Sequence, residues 1–309
     1  ITCWHSVAAY RAAMRSVYIL SNPTARGGPT QLDGVVAAFA RFDVDTTVLA
    51  VATPAEARAA AQRAVSDGAS RLIAVGGDGM VHLAVNAVAE SETVLGVVPL
   101  GTGNDFARAL GLLDGDIDEQ VGRTLAEPTP IDAIRTDGGW VASVATLGFS
   151  GDVTARANRL SWPRGQSRYT LATIVQLPRL RTLLVAVEID GRRVAGATTL
   201  LAIGNTGYFG GGMRICPAAR ADDGRLHVVS IGDVPRRTFL RVFPTVFSGR
   251  HINRPEVTVD AGESVMIDGV GVDVWADGEQ LGSLPMRFEV VPSALLVAGA
   301  RAGHEDVAR

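Results

Sequence analysis

Two domains of different character are predicted for this chain: an α/β domain on a parallel sheet, then an antiparallel β-sandwich. Three observations predict them. At 309 residues the chain exceeds one small core. Its first half repeats strand, glycine-rich loop and helix, which implies a largely parallel sheet. Its second half is a series of Val-, Ile- and Thr-rich runs with Asp-Gly turn signals between several of them, the pattern of an antiparallel sandwich.

The elements follow in order. The apolar run Val17–Leu20 ends at Ser21-Asn22-Pro23 and reads as strand, then turn. Val35–Phe42 has helical spacing and Val44–Val51 reads as strand. Thr53-Pro54-Ala55-Glu56 opens a helix, with Thr as N-cap, Pro at the first helical position and Glu closing a capping box. That Ala-rich helix runs to about Asp67-Gly68. Strand Leu72–Val75 stops at Gly76-Gly77-Asp78-Gly79, before a helix over Met80–Ala89. Strand Val94–Val98 stops at Pro99-Leu100-Gly101-Thr102-Gly103, before a helix over Asn104–Leu110. The domain boundary is expected at Pro128-Thr129-Pro130, giving 14–128 and 129–293, with 1–13 as an extension. Beyond it, strands are expected at Leu183–Ile189, Thr198–Ile203, Leu226–Ile231, Glu256–Val259, Val265–Ile267 and Phe288–Val291.

Composition narrows the chemistry. With 47% hydrophobic and 20% charged residues the chain is expected to bury a core. All 29 of its basic Lys/Arg positions are Arg. Without lysine it cannot build a Walker A loop, a protein-kinase β3 Lys or a Schiff base. The net charge of −3 argues against nucleic-acid binding. Cys3 and Cys216 are too few for a disulfide framework. No run reaches the length of a membrane span, and residues 1–13 lack the pattern of a signal peptide. The 35 glycines suggest backbone that turns tightly or approaches a ligand.

Three loops follow strands in the first half: Asn22–Gly28, Gly76–Gly79 and Gly101–Asp105. In an open α/β sheet, ligands bind at the carboxyl ends of strands. Glycine brings backbone N–H groups close to a phosphate, and the following helix N-terminus favours negative charge. Asp78 and Asp105 fit such an edge if Mg²⁺ binds there as well, because hard cations take carboxylate oxygens. Each loop alone reads equally as an ordinary strand-to-helix turn; three at one edge point to a phosphate site. Position 106 is Phe, so no GxGxxG fingerprint is present, and Asp152 breaks a GxSxG nucleophile elbow. The histidines lack ligand spacing, and His82 reads as helix packing.

GGDG at Gly76–Gly79, followed about 20 residues later by Pro99-Leu100-Gly101-Thr102-Gly103-Asn104-Asp105-Phe106-Ala107-Arg108, resembles the diacylglycerol kinase catalytic-domain family, which includes bacterial lipid kinases, sphingosine kinases and ceramide kinases. The resemblance runs from about Met14 through Asn22-Pro23, Leu147-Gly148-Phe149, Gly204-Asn205, Gly210–Gly212 and Cys216–Gly224 to Asp277-Gly278-Glu279. GGDG alone is shared with NAD kinases and phosphofructokinases; together with the later motifs it is specific. The resemblance implies the two-domain NAD kinase/diacylglycerol kinase-like fold, with a cleft between the domains and a last strand, about 294–303, returning to the first. It implies ATP as donor and a lipid alcohol as acceptor, diacylglycerol first and sphingoid or ceramide-type lipids next. On the matching motifs, Asn22, Gly76, Gly77, Asp78, Gly79, Gly101, Thr102, Gly103, Asn104 and Asp105 would hold nucleotide phosphates and the metal network near them. Asp277 would be the general base, with Glu279 beside it. Asp223, with the carbonyls of Arg220 and Arg225, would match a structural Mg²⁺ site. Met80 departs from the Thr common after GGDG. Spacing alone reads Asp277-Gly278 and Asp223-Gly224 as hairpin turns.

In a chain without lysine, Arg26 and Arg108 beside the loops are the first arginines expected on the nucleotide. Two acid-free basic stretches stand out, Val153–Val187 with six arginines and Pro235–Arg254 with five, so the rest of the chain is strongly acidic. Trp162 and Tyr169 lie in the first; Phe239, Phe243 and Phe247 lie at i, i+4, i+8 in the second. Such segments suit an anionic membrane surface, and equally a solvated face over a packed aromatic stripe. The expectation is a cytoplasmic kinase peripheral at the inner leaflet, with a homodimer as its assembly. The rivals are an NAD kinase relative, disfavoured because no Asn-Glu or Asn-Asp pair stands in the second half as in that family, and a non-catalytic lipid or nucleotide binder.

Overall fold

The structure, a computed structural model, describes residues 16–22, 28–159, 171–172 and 175–301. The chain separates into two compact units. The first takes the described residues of Ile1–Gly101, Leu110–Ile131 and Ser293–Arg309; the second takes those of Thr102–Ala109 and Asp132–Pro292.

The first unit alternates strand and helix: β1 (Val17–Ser21), α1 (Gly28–Arg41), β2 (Thr46–Ala50), α2 (Pro54–Ser66), β3 (Arg71–Gly76), α3 (Asp78–Val88) and β4 (Val94–Pro99). After α4 (Asp105–Ala109), which clusters with the second unit, α5 (Ile117–Thr124) returns to the first. The strands are parallel in the order β2-β1-β3-β4, with Val17 opposite Thr46 and Arg71, and Gly76 opposite Pro99. The capping box opening α2 is formed: Glu56 N–H donates to Thr53 Oγ1 at 3.2 Å and Thr53 N–H to Glu56 Oε2 at 3.1 Å. Its Ala57, Ala60, Ala61 and Ala64 are buried at helical spacing. Strands β1, β3 and β4 are almost wholly buried, as expected of parallel strands covered on both faces, and Phe39, Ile19, Ile73 and Val98 share their core.

The second unit is antiparallel. Its strands are β5 (Pro128–Thr136, entering from the first unit), β6 (Gly139–Val141), β7 (Val144–Gly148), β8 (Leu183–Ile189), β9 (Arg192–Gly204), β10 (Leu226–Gly232), β11 (Val257–Gly262), β12 (Ser264–Asp268), β13 (Asp273–Ala276), β14 (Glu279–Ser283) and β15 (Met286–Ala298). They run in the order β14-β13-β7-β9-β8-β12-β15, and β10 pairs with both β9 and β11. Helices beside them include α6 (Phe149–Arg159) and α7 (Arg236–Val242). Along β8, buried residues alternate with exposed or half-buried ones, so one face meets a core with Val265, Ile267 and Phe288. Asp190-Gly191 and Asp277-Gly278 form two-residue hairpins with φ of 48° and 79°, and of 49° and 88°. β15 is shared: its start pairs with β12, and Val297 pairs in parallel with Leu95 of β4.

The Asp105 motif reads by sequence as part of the first domain, yet it clusters with the second unit. The reason is local: both oxygens of the Asp105 carboxylate accept backbone N–H groups from the 210–212 loop.

Candidate active site

In the first unit, β1, β3 and β4 end side by side, so Asn22, the Gly76–Gly79 loop and Leu100-Gly101 leave one edge of the sheet. Leu100 N–H donates to the Gly76 carbonyl at 2.9 Å, tying the last two together. A side chain at Gly77 would place its Cβ 3.1 Å from Gly101 Cα, so the two backbones run in near contact. Asp78 starts α3, and Gly77, its N-cap, has no side chain to cap the helix. His82 is buried on α3 beside Asn86, whose amide donates to the His82 carbonyl at 2.9 Å, as its helix-packing reading expects. Arg26 lies outside the described residues.

In the second unit Asp105 is buried. Its Oδ2 accepts from Gly211 N–H at 2.8 Å and its Oδ1 from Gly212 N–H at 2.7 Å. Burial pushes its carboxyl above the ordinary carboxylate range; the charge of Asp277 adds to this, while the two N–H bonds and Arg108 oppose it. Gly210, Gly211 and Gly212 all have positive φ (62°, 86° and 101°), a run of left-handed residues that lets two successive N–H groups face one carboxylate. The Arg108 Nη2 reaches the Gly103 carbonyl at 3.5 Å.

Asp277 sits at the β13–β14 turn, half-buried, and its Oδ2 accepts from Ala142 N–H at 3.2 Å. Glu279, the first residue of β14, is exposed. A chain of hydrogen bonds leads from Asp277 to the 221–225 turn. The buried Asn205 amide donates to the carbonyls of Ala142 (2.9 Å) and Asp132 (2.7 Å). Asp132 N–H donates to the Ala221 carbonyl at 2.7 Å, and its Oδ2 accepts from Gly224 N–H at 2.8 Å. Asp223 accepts from Arg225 N–H at 3.0 Å and meets His227 Nε2 at 2.9 Å; Arg220 pairs with Asp222. Among the described residues no three Asp, Glu, His or Cys side chains gather as a metal cluster.

Asp132 and the supporting role of Asn205 were not read from the sequence. The available signal was an acid at a core position of a strand, between Ile131 and the run Ala133-Ile134. Cys216 is buried, and burial raises its thiol pKa far beyond the ordinary range, so it is an inert core residue.

Comparisons with known proteins cover both units. The family profile of the diacylglycerol kinase catalytic domain matches residues 16–136. That of the YegS C-terminal NAD kinase beta sandwich-like domain matches residues 142–299. A diacylglycerol kinase of Mycobacterium tuberculosis is 34% identical over 95% of this chain and 98% of its own. One of Bacillus subtilis is 29% identical over 89% of this chain and 93% of its own. Among solved structures, a diacylglycerol kinase from Bacillus anthracis superposes with a TM-score of 0.70 at 20% identity, covering 92% of this chain and 96% of that one. An NAD kinase from Archaeoglobus fulgidus in complex with ATP superposes with a TM-score of 0.52 at 12% identity, covering 94% of each chain. These two structural likenesses speak for the fold.

Proposed function

We propose, from the premise that this chain belongs to the diacylglycerol kinase family and is a lipid kinase, that it transfers the γ-phosphate of ATP to the hydroxyl of diacylglycerol, giving phosphatidic acid. The observation that supports this best is the edge of glycine loops at the ends of β1, β3 and β4, in a chain whose match to one diacylglycerol kinase over 95% of its length also takes in the pinned Asp277. Phosphoryl transfer asks mainly for positioning and charge neutralisation. The N–H groups of Gly76–Gly79 and Gly101–Gly103 would hold phosphate oxygens, with Asn22 and Thr102 beside them and Arg26 and Arg108 supplying positive charge where lysine is lacking. Asp277 takes the proton of the attacking hydroxyl, and Glu279 adjoins it. Asp105 orders the 210–212 loop through the Gly211 and Gly212 N–H groups, which fixes its carboxylate beside the loop.

The family implies Mg²⁺ as well. Asp223 and the carbonyls of Arg220 and Arg225 offer only oxygen donors, the kind a hard cation takes, and would hold a structural ion if Asp223 gave up its contact with His227; Asp78 would hold one near the phosphates. Mg²⁺ supplies neutralisation of phosphate charge. No helix among the described residues is long and apolar enough to cross a membrane. We place the enzyme in the cytoplasm, working at the surface of the inner leaflet where its substrate lies.

Incubation with labelled ATP, Mg²⁺ and a panel of lipid alcohols and NAD tests the reading: labelled phosphatidic acid is expected, and labelling only of another acceptor overturns it. Asp277→Asn is expected to lower turnover about 10²–10⁴-fold while nucleotide binding is kept. Undiminished turnover refutes the assignment of the base.

A further inference from the structure

The stripe Phe239, Phe243, Phe247 divides in the structure. Phe239 is buried, and Phe243, half-buried, stacks on it at 5.2 Å between ring centroids. Both meet Phe149 edge-on, at 4.8 and 5.8 Å. These two aromatics, with Val242 and Val246, are the inner side of α7 and of the 3₁₀ turn Phe243–Val246 that continues it. The outer side carries a different set. Leu240 is 52% exposed, Phe247 is 53% exposed, and Pro244 between them is exposed. Phe247 keeps a helical backbone (φ −60°, ψ −32°), so 240, 244 and 247 stand at i, i+4 and i+7 on one face. In the same stretch Arg236, Arg237 and Arg241 on α7, and Arg250 and Arg254 after it, are all exposed. None is paired with a carboxylate of the described residues, and no acid occurs from Pro235 to Pro255.

We propose that this outer face, Leu240, Pro244 and Phe247 in an acid-free stretch with five exposed arginines, is the element that seats the protein on an anionic lipid bilayer; it rests on the reading of the chain as a lipid kinase. A bilayer supplies both complements at once: phosphate headgroups for guanidinium forks and hydrocarbon beneath them for the apolar stripe. A second copy of the chain does not. A twofold contact through this face would bring the same five arginines against themselves. In the first basic stretch Arg181 already faces Asp152 at 3.7 Å, and Arg164, Arg168, Trp162 and Tyr169 lie outside the described residues, so the second stretch carries the argument.

Co-sedimentation without ATP tests it, using vesicles of phosphatidylcholine with and without phosphatidylglycerol over a range of salt. The wild type is expected to bind only the phosphatidylglycerol vesicles, less as salt rises. Arg237→Gln with Arg241→Gln should weaken binding about twenty-five-fold, at about fivefold per charge. Leu240→Ser with Phe247→Ser should weaken it about tenfold, including at high salt. Cooperative thermal unfolding and phosphorylation of a short-chain diacylglycerol in detergent micelles should be unchanged in both variants. Binding that ignores phosphatidylglycerol, or variants that bind like the wild type, overturn the proposal. So does a dimer lost in the Leu240/Phe247 variant while vesicle binding persists, which would make the face a contact between copies. If the wild type phosphorylates no lipid in micelles yet binds vesicles as expected, the docking face stands and the lipid kinase reading falls.

Discussion

Asn205 is fully buried, and its one amide group bridges two segments that carry site residues. The carbonyl of Ala142 belongs to the residue whose N–H holds Asp277, and the carbonyl of Asp132 to the residue whose carboxylate holds the 221–225 turn. Truncating the side chain leaves two buried acceptors without their donor, which costs about 1–3 kcal/mol. Asn205→Ala is therefore expected to lower the unfolding free energy read from urea denaturation by that amount and to lower kcat more than the affinity for ATP, since the base loses its fixed position while the glycine loops are untouched. Equal loss of kcat and ATP affinity would contradict a role confined to Asp277 and the turn.

Among the elements, the paired loops after β3 and β4 depend on the absence of side chains where they meet. An alanine Cβ at position 77 would lie 3.1 Å from Gly101 Cα, a backbone atom that yields only if the whole loop shifts by a few tenths of an ångström. Gly77→Ala is expected to cost under about 1 kcal/mol in stability, because the strands and α3 remain. It should weaken ATP binding about tenfold by moving N–H groups off the phosphates. Titration calorimetry reads the second effect. Gly196→Ala, whose Cβ meets no atom within 4 Å, is the control expected to change neither.

At the scale of the molecule, β15 makes the two units one covalent design. Its first residues complete the antiparallel sheet against β12, and its last extend the parallel sheet beside β4. Leu295 and Val297 are fully buried there, so the first unit closes its core with residues almost at the far end of the chain. Leu295→Ala is expected to remove about 2–5 kcal/mol. Chemical denaturation followed by hydrogen exchange should show that loss in β1, β3 and β4 ahead of the sandwich strands; a loss confined to the sandwich would contradict this placement.

The sequence by itself determined the alternation of strand and helix before residue 110, the capping box of α2, the Asp190-Gly191 and Asp277-Gly278 hairpins, the glycine loops and the family; Asp223-Gly224, which spacing also reads as a hairpin, instead ends the long 205–225 connection before β10. Each of these is local: a period, a cap or a turn is written in neighbouring residues, and a motif is a short string. The tertiary structure alone decided that Asp105 serves the 210–212 loop, that Asp132 and Asn205 support Asp277, and that Phe239 and Phe243 face inward while Leu240, Pro244 and Phe247 face out. The hydrogen bonds join residues 60 or more positions apart, beyond any local pattern. The aromatic stripe was ambiguous because helical spacing says which residues share a side and not which side meets the core. What turns one face inward is the packing of Phe149, which only the folded chain brings against it.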